Sequence, residues 1–161
     1  MVLETLSTLF STLGSAASTA KAFQELLVGR KGEVRLLLEE LKKNATLCWL
    51  VVDRQVEPQK VILQFETKVY DSLLAKDYNF NALSPRRRKI EGSASLAGSD
   101  LASFVGRDVA FVVENLYDRI KEMQTIFQVD PGNARIDWGR RVLNLHKRIL
   151  LLMLHLRGTR R

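Results

Sequence analysis

The 161 residues include one cysteine, Cys48, with two histidines and three prolines. A lone cysteine excludes an internal disulfide and a zinc knuckle, and it leads us to expect a reducing, cytoplasmic setting. The first charge is Glu4 and the first basic residue is Lys21, so the basic n-region of a secretory signal is missing, which adds to that expectation. Also missing is an apolar run of the roughly 18 residues that a membrane-spanning helix needs. Near the C-terminus the run Ile149 to Leu154 is stopped by Arg148 and His155. There is no Walker loop, no dinucleotide fingerprint and no pair of histidines at metal spacing, so neither a metal nor a cofactor is expected. Acidic residues are scarce at one end: residues 133–161 carry eight Lys or Arg against Asp137 alone. That surplus of seven equals the net charge of +7, and the other 132 residues balance, with 17 basic and 17 acidic.

What is present is helical periodicity. Apolar residues recur at spacings of three and four almost throughout, with no sustained alternation of period two, which predicts an all-α chain. A length of 161 residues and 46% hydrophobic composition suit one domain over residues 1–161. Five helices are expected, over about Leu3 to Val28, Glu33 to Val56, Pro58 to Asp77, Asp100 to Phe127 and Asp137 to Arg157. Gly29 and Gly32 close the first, Pro58 opens the third, and Ser99 or Asp100 caps the fourth before Asp130, Pro131 and Gly132 end it. Short links between long helices predict an antiparallel four- to five-helix bundle with one long basic loop at about 78–99, a segment expected to show local disorder.

The last helix concentrates the candidate sites. Arg141, Arg148 and His155, spaced by seven, share one stripe with Asn144 beside them. Together with Arg140 and Arg157 they form either a ridge for phosphate groups or an acidic partner, or the solvated face of an amphipathic helix. A second basic feature is the knot Arg86, Arg87, Arg88 and Lys89 on the long loop, which either tracks phosphates or is simply solvated. The only aromatics near it in sequence are Tyr78 and Phe80 upstream, so stacking readout of bases is not indicated. The apolar residues of this helix cover most of its circumference. A helix apolar on most sides is buried on most sides, so Trp138, Val142, Leu145, Ile149, Leu152 and Leu156 are expected to form a self-association or partner interface. The carboxylates Glu39, Glu40, Glu114 and Asp118 read as ordinary helix surface with Lys42, Lys43, Arg119 and Lys121 nearby.

An arginine followed five residues later by a histidine near the start of the last helix, Arg141 and His146, resembles the HEPN ribonuclease signature. The resemblance implies a dimer in which His146 transfers protons at the ribose hydroxyl and Arg141 neutralises phosphate charge, without a metal. That family places a polar residue directly after the arginine, where this chain has Val142 and carries its asparagine at Asn144. Five residues of helix turn through about 140°, which sets His146 beside Val142, Ile149, Leu150 and Met153, a position suited to a packed core histidine. Thr5 to Ala20 is uncharged and rich in Ser, Thr, Ala and Gly, and its place ahead of a bundle resembles membrane-disrupting bundles of the HeLo type. The reading we carry forward is a non-catalytic helical interaction module. It is expected to be homo-oligomeric or part of a larger assembly, with a basic C-terminal helix for an anionic partner, RNA or DNA before an acidic protein. A HEPN-like endoribonuclease and a membrane-active bundle are the alternatives.

Overall fold

The computed structural model of the chain describes residues 16–92 and 96–158. Among these, five α-helices follow in order: α1 (Ala16–Leu27), α2 (Gly32–Val52), α3 (Lys68–Ala75), α4 (Val109–Val129) and α5 (Trp138–Gly158). Short 3₁₀ turns lie at Pro58–Lys60, Ile62–Gln64, Phe80–Leu83 and Asp100–Phe104. The described residues contain no strand, and their one β-bridge pairs Lys89 with Asp108. The fold is all-α, as the periodicity predicts. No helix among the described residues is long and apolar enough to cross a membrane. The uncharged segment from Thr5 lies mostly outside the described residues, and so does the first half of the expected first helix.

α5 packs against α1, α2 and α4, which makes it the central helix. This accounts for its apolar circumference. Trp138, Val142, Leu145, Ile149, Leu152 and Leu156 are all buried in the chain's own core, alongside Leu37, Leu38, Leu41, Val112, Val113, Leu116 and Ile120. Each fully buried aliphatic side chain contributes roughly 2 kcal/mol. The six residues expected at an intermolecular interface therefore face intramolecular neighbours, because a central helix in a bundle is enclosed on most sides by the same chain.

The expected third helix, Pro58 to Asp77, is broken. Pro58 does open a turn, but regular helix is confined to α3, and Phe65 between them is extended at φ −56° and ψ 136°. Side chains from other helices hold this backbone. Asn44 donates to the Glu66 carbonyl at 2.8 Å and accepts from the Glu66 amide at 2.9 Å, while Gln124 Nε2 donates to the carbonyls of Ile62 and Phe65, both at 3.0 Å. Glu40, one turn before Asn44, is buried, not a surface carboxylate. Its oxygens accept from the amides of Val69 at 2.7 Å and Tyr70 at 3.2 Å, satisfying orphan donors at the start of α3.

The fourth helix is likewise split. Ser99 caps a 3₁₀ turn over Asp100–Phe104, accepting from the Leu101 amide, and α4 begins only at Val109. Between them Gly106 takes φ +79°, a conformation that other residues rarely adopt. Here the long loop pairs with the chain: Ile90 donates to Arg107, Gly106 to Ile90, and Val109 to Arg88. Phe80, Leu83, Ile90 and Leu96 are buried as well, so the described part of the segment expected to be disordered is seated on the bundle. Phe80 extends an aromatic column in which Tyr70 stacks on Tyr117 at 4.2 Å and on Phe80 at 5.3 Å.

Candidate anion-binding groove

α4 and α5 run antiparallel, with Phe127 near the end of one meeting Trp138 at the start of the other edge-on at 5.5 Å. Residues three or four apart share a helix face, so Arg141, Asn144 and Arg148 line one edge of the groove between them. Arg119 and Met123 line the other, and the five residues enclose a cavity of about 270 Å³. Three guanidinium groups thus converge on one concavity from two helices.

The acid nearest to this cluster is Glu122. It pairs with Arg119 at 3.0 Å and with Arg141 at 3.9 Å, across side chains that are each about half exposed and therefore well screened. Arg148 is the most enclosed of the three. Its guanidinium lies 5.7 Å from the Phe104 ring centre. Burial, reinforced by the charge of Arg119, lowers its pKa below the usual arginine value, and Asp100 opposes the shift. Its Nε is buried without a hydrogen-bond partner. The same holds for Asn115 Oδ1, one turn before Arg119 on α4, and for Trp138 Nε1, whose ring lies 6.0 Å from the Arg141 guanidinium. Fixed cations in a concave, partly desolvated site focus a positive potential, and guanidinium forks match the oxygens of phosphate or carboxylate.

The other predicted site residues fall elsewhere. Arg140 is exposed on the first turn of α5, and Arg157 pairs with Glu25 of α1 at 3.6 Å. Arg86, Arg88 and Lys89 are exposed, while Arg87 is partly buried and ion-paired with Glu91. His155 does not belong to a solvated stripe: it is buried, and its Nε2 donates to the Arg87 carbonyl at 2.7 Å, so the end of α5 anchors the basic knot. Lys147 is also buried and reaches Asp100 at 3.5 Å.

Arg141 and His146 are not brought together on one surface. Arg141 lines the groove, whereas His146 is 3% exposed, and burial lowers its pKa to about 4, so its imidazole is neutral near pH 7. Cys48 is fully buried, and desolvation raises its thiol pKa far above the ordinary value, which leaves no thiolate nucleophile. Among the described residues no group of three His, Cys, Asp or Glu could hold a metal.

Sequence reasoning missed Arg119 because it was set among surface charges. The available signal was the spacing of Phe111, Asn115, Arg119 and Met123, which puts an aromatic, an amide, a cation and a thioether on one stripe of α4. No protein-family model, curated protein or solved structure matches the chain.

Proposed function

We propose that this chain is a non-catalytic helical interaction module that engages a phosphate-bearing partner, nucleic acid first, through the α4–α5 face. The observation that carries the reading is the convergence of Arg119, Arg141 and Arg148 on one cavity, with only Glu122 paired against them among the described residues lining or bordering it. Apolar contact is a weaker basis for partner choice, because α5 spends its apolar face on its own bundle. The charge surplus at the C-terminal end adds a long-range field toward a polyanion.

The test is fluorescence anisotropy of a labelled RNA or DNA oligonucleotide titrated with the chain across a range of salt concentrations. Each single-strand phosphate neutralised contributes about −0.7 to the slope of log affinity against log salt, so three guanidinium contacts predict a slope of about −2. Arg119, Arg141 and Arg148 replaced together by glutamine should abolish most of that slope. A flat salt dependence, or an unchanged slope in the triple variant, overturns the proposal.

A further inference from the structure

Next to the guanidinium cavity lies an aromatic surface made by Phe104 and Phe111. Phe104 underlies Arg148 at 5.7 Å, and its ring is 6.1 Å from that of Phe111. Phe111 in turn carries the Arg107 guanidinium at 4.8 Å, and it is 40% exposed, high for a phenylalanine of a bundle helix. The order in space is therefore Arg148, Phe104, Phe111, Arg107. The basic knot adjoins the far end, since Lys89 bridges Asp108 and the Val109 amide donates to the Arg88 carbonyl. Phe111 and Arg119 lie two turns apart on α4, about 12 Å along the axis, with Asn115 between them. The acidic neighbours of this track are Asp100, Asp108 and Glu122. Glu114 and Asp118, three and seven residues after Phe111, lie on the adjoining face of α4, where their charges also act on Tyr70.

Resting on the nucleic-acid reading above, we infer that the α4–α5 face binds single strands in preference to duplex. Phe111 is the platform on which a base stacks, and the Arg119, Arg141 and Arg148 cavity holds a phosphate of the same strand. The physical argument is the alternation of cation and ring. Guanidinium groups alone attract any polyanion. An exposed ring flanked by cations adds a surface that only an unstacked base can use, because bases inside a duplex already stack on each other. Arg107, whose guanidinium lies over the Phe111 ring at 4.8 Å, supplies the cation at the platform and is the group that the incoming base stacks upon or displaces, while Arg86, Arg88 and Lys89 lie beyond it.

The experiment compares four probes on the full chain at low salt: a mixed-sequence single-stranded oligonucleotide, the same sequence as duplex, inorganic polyphosphate and poly-glutamate. Single strands carrying 2-aminopurine report stacking by fluorescence quenching. The expected result is tightest binding of the single strand with quenching. Phe111→Leu should weaken that strand about tenfold or more and remove the quenching, with polyphosphate affinity unchanged. Phe111→Tyr, which keeps an aromatic face, should bind as the unaltered chain does. If duplex or polyphosphate binds as tightly as the single strand, or if Phe111→Leu alters neither affinity nor quenching, the stacking inference fails while the phosphate-binding reading stands. If no nucleic acid binds, or if poly-glutamate binds more tightly than any strand, both fail.

Discussion

On α2, Glu40 and Asn44 are buried one turn apart, and their side chains bond to backbone at Glu66, Val69 and Tyr70. Across the bundle, around the α4–α5 groove, Arg148 Nε, Asn115 Oδ1 and Trp138 Nε1 are buried without hydrogen-bond partners. A buried polar group left unsatisfied costs about 1–3 kcal/mol, whereas a satisfied one roughly breaks even or better. The first region spends its polar atoms on holding the chain's own irregular segment in place. The second gathers guanidinium groups in a partly desolvated setting where burial and like charge oppose the Arg148 cation. Three such atoms gather around the groove, against the Tyr117 hydroxyl beside Glu40, and that difference points to the groove as the place to look for function.

The largest effect should come from breaking the satisfied side. The Tyr117 hydroxyl is buried beside the Glu40 carboxylate, so Glu40→Ala leaves that hydroxyl and the amides of Val69 and Tyr70 in a dry site. Urea denaturation should show a loss of about 3 kcal/mol, with single-strand affinity per folded molecule unchanged. A loss under 1 kcal/mol would mean that α3 is held by apolar packing alone.

Acid should act almost as strongly, through His146. Its folded pKa of about 4 lies below the ordinary 6.5, so the unfolded chain takes up a proton first as pH falls. The stability it contributes is complete above pH 6.5 and is lost progressively as pH drops toward 4, by about 3 kcal/mol in all. Denaturation measured between pH 7 and 5 should show this slope, and His146→Leu should flatten it. A slope that persists in the variant assigns the acid sensitivity to other groups.

A smaller effect is expected where α5 anchors the basic knot. His155→Ala removes the donor to the Arg87 carbonyl and should cost about 1 kcal/mol. Hydrogen exchange at residues 86–91 should quicken while α2 is unaffected. Unchanged exchange there would show that Ile90 and the pairing with Arg107 hold the knot unaided.

The smallest effect on stability, and the sharpest contrast with Glu40, belongs to Arg148. Arg148→Gln removes a partly desolvated charge beside Arg119, so folding stability should shift by no more than about 0.5 kcal/mol, in the favourable direction if in any. Anion affinity should fall severalfold. A large destabilisation would make Arg148 a structural residue and erase the contrast between the two regions.

Some of this was legible in the residues. The extents of α2 and α5, the placing of Arg141, Asn144 and Arg148 on one stripe, and the apolar seat of His146 all follow from a period of 3.6 residues. The break between Pro58 and Lys68 was not legible, because Val61, Phe65, Val69 and Leu73 keep a helical spacing whether or not the backbone is helical. Side chains of Asn44 and Gln124, distant in sequence, divert it. Glu40 looks like its neighbour Glu39 in sequence, and only the position of α3 makes one buried and the other exposed.

The sequence by itself determined the helical class, the extents of α2 and α5 and the concentration of positive charge at one end, because periodicity and charge are properties of neighbouring residues. Tertiary structure alone decided that α5 is central, so that its apolar circumference is met within the chain, and that Arg119 and Phe111 join its arginines. Those facts depend on which helices lie side by side and in what direction, and the free energy that selects the arrangement comes from burial between segments far apart in the chain.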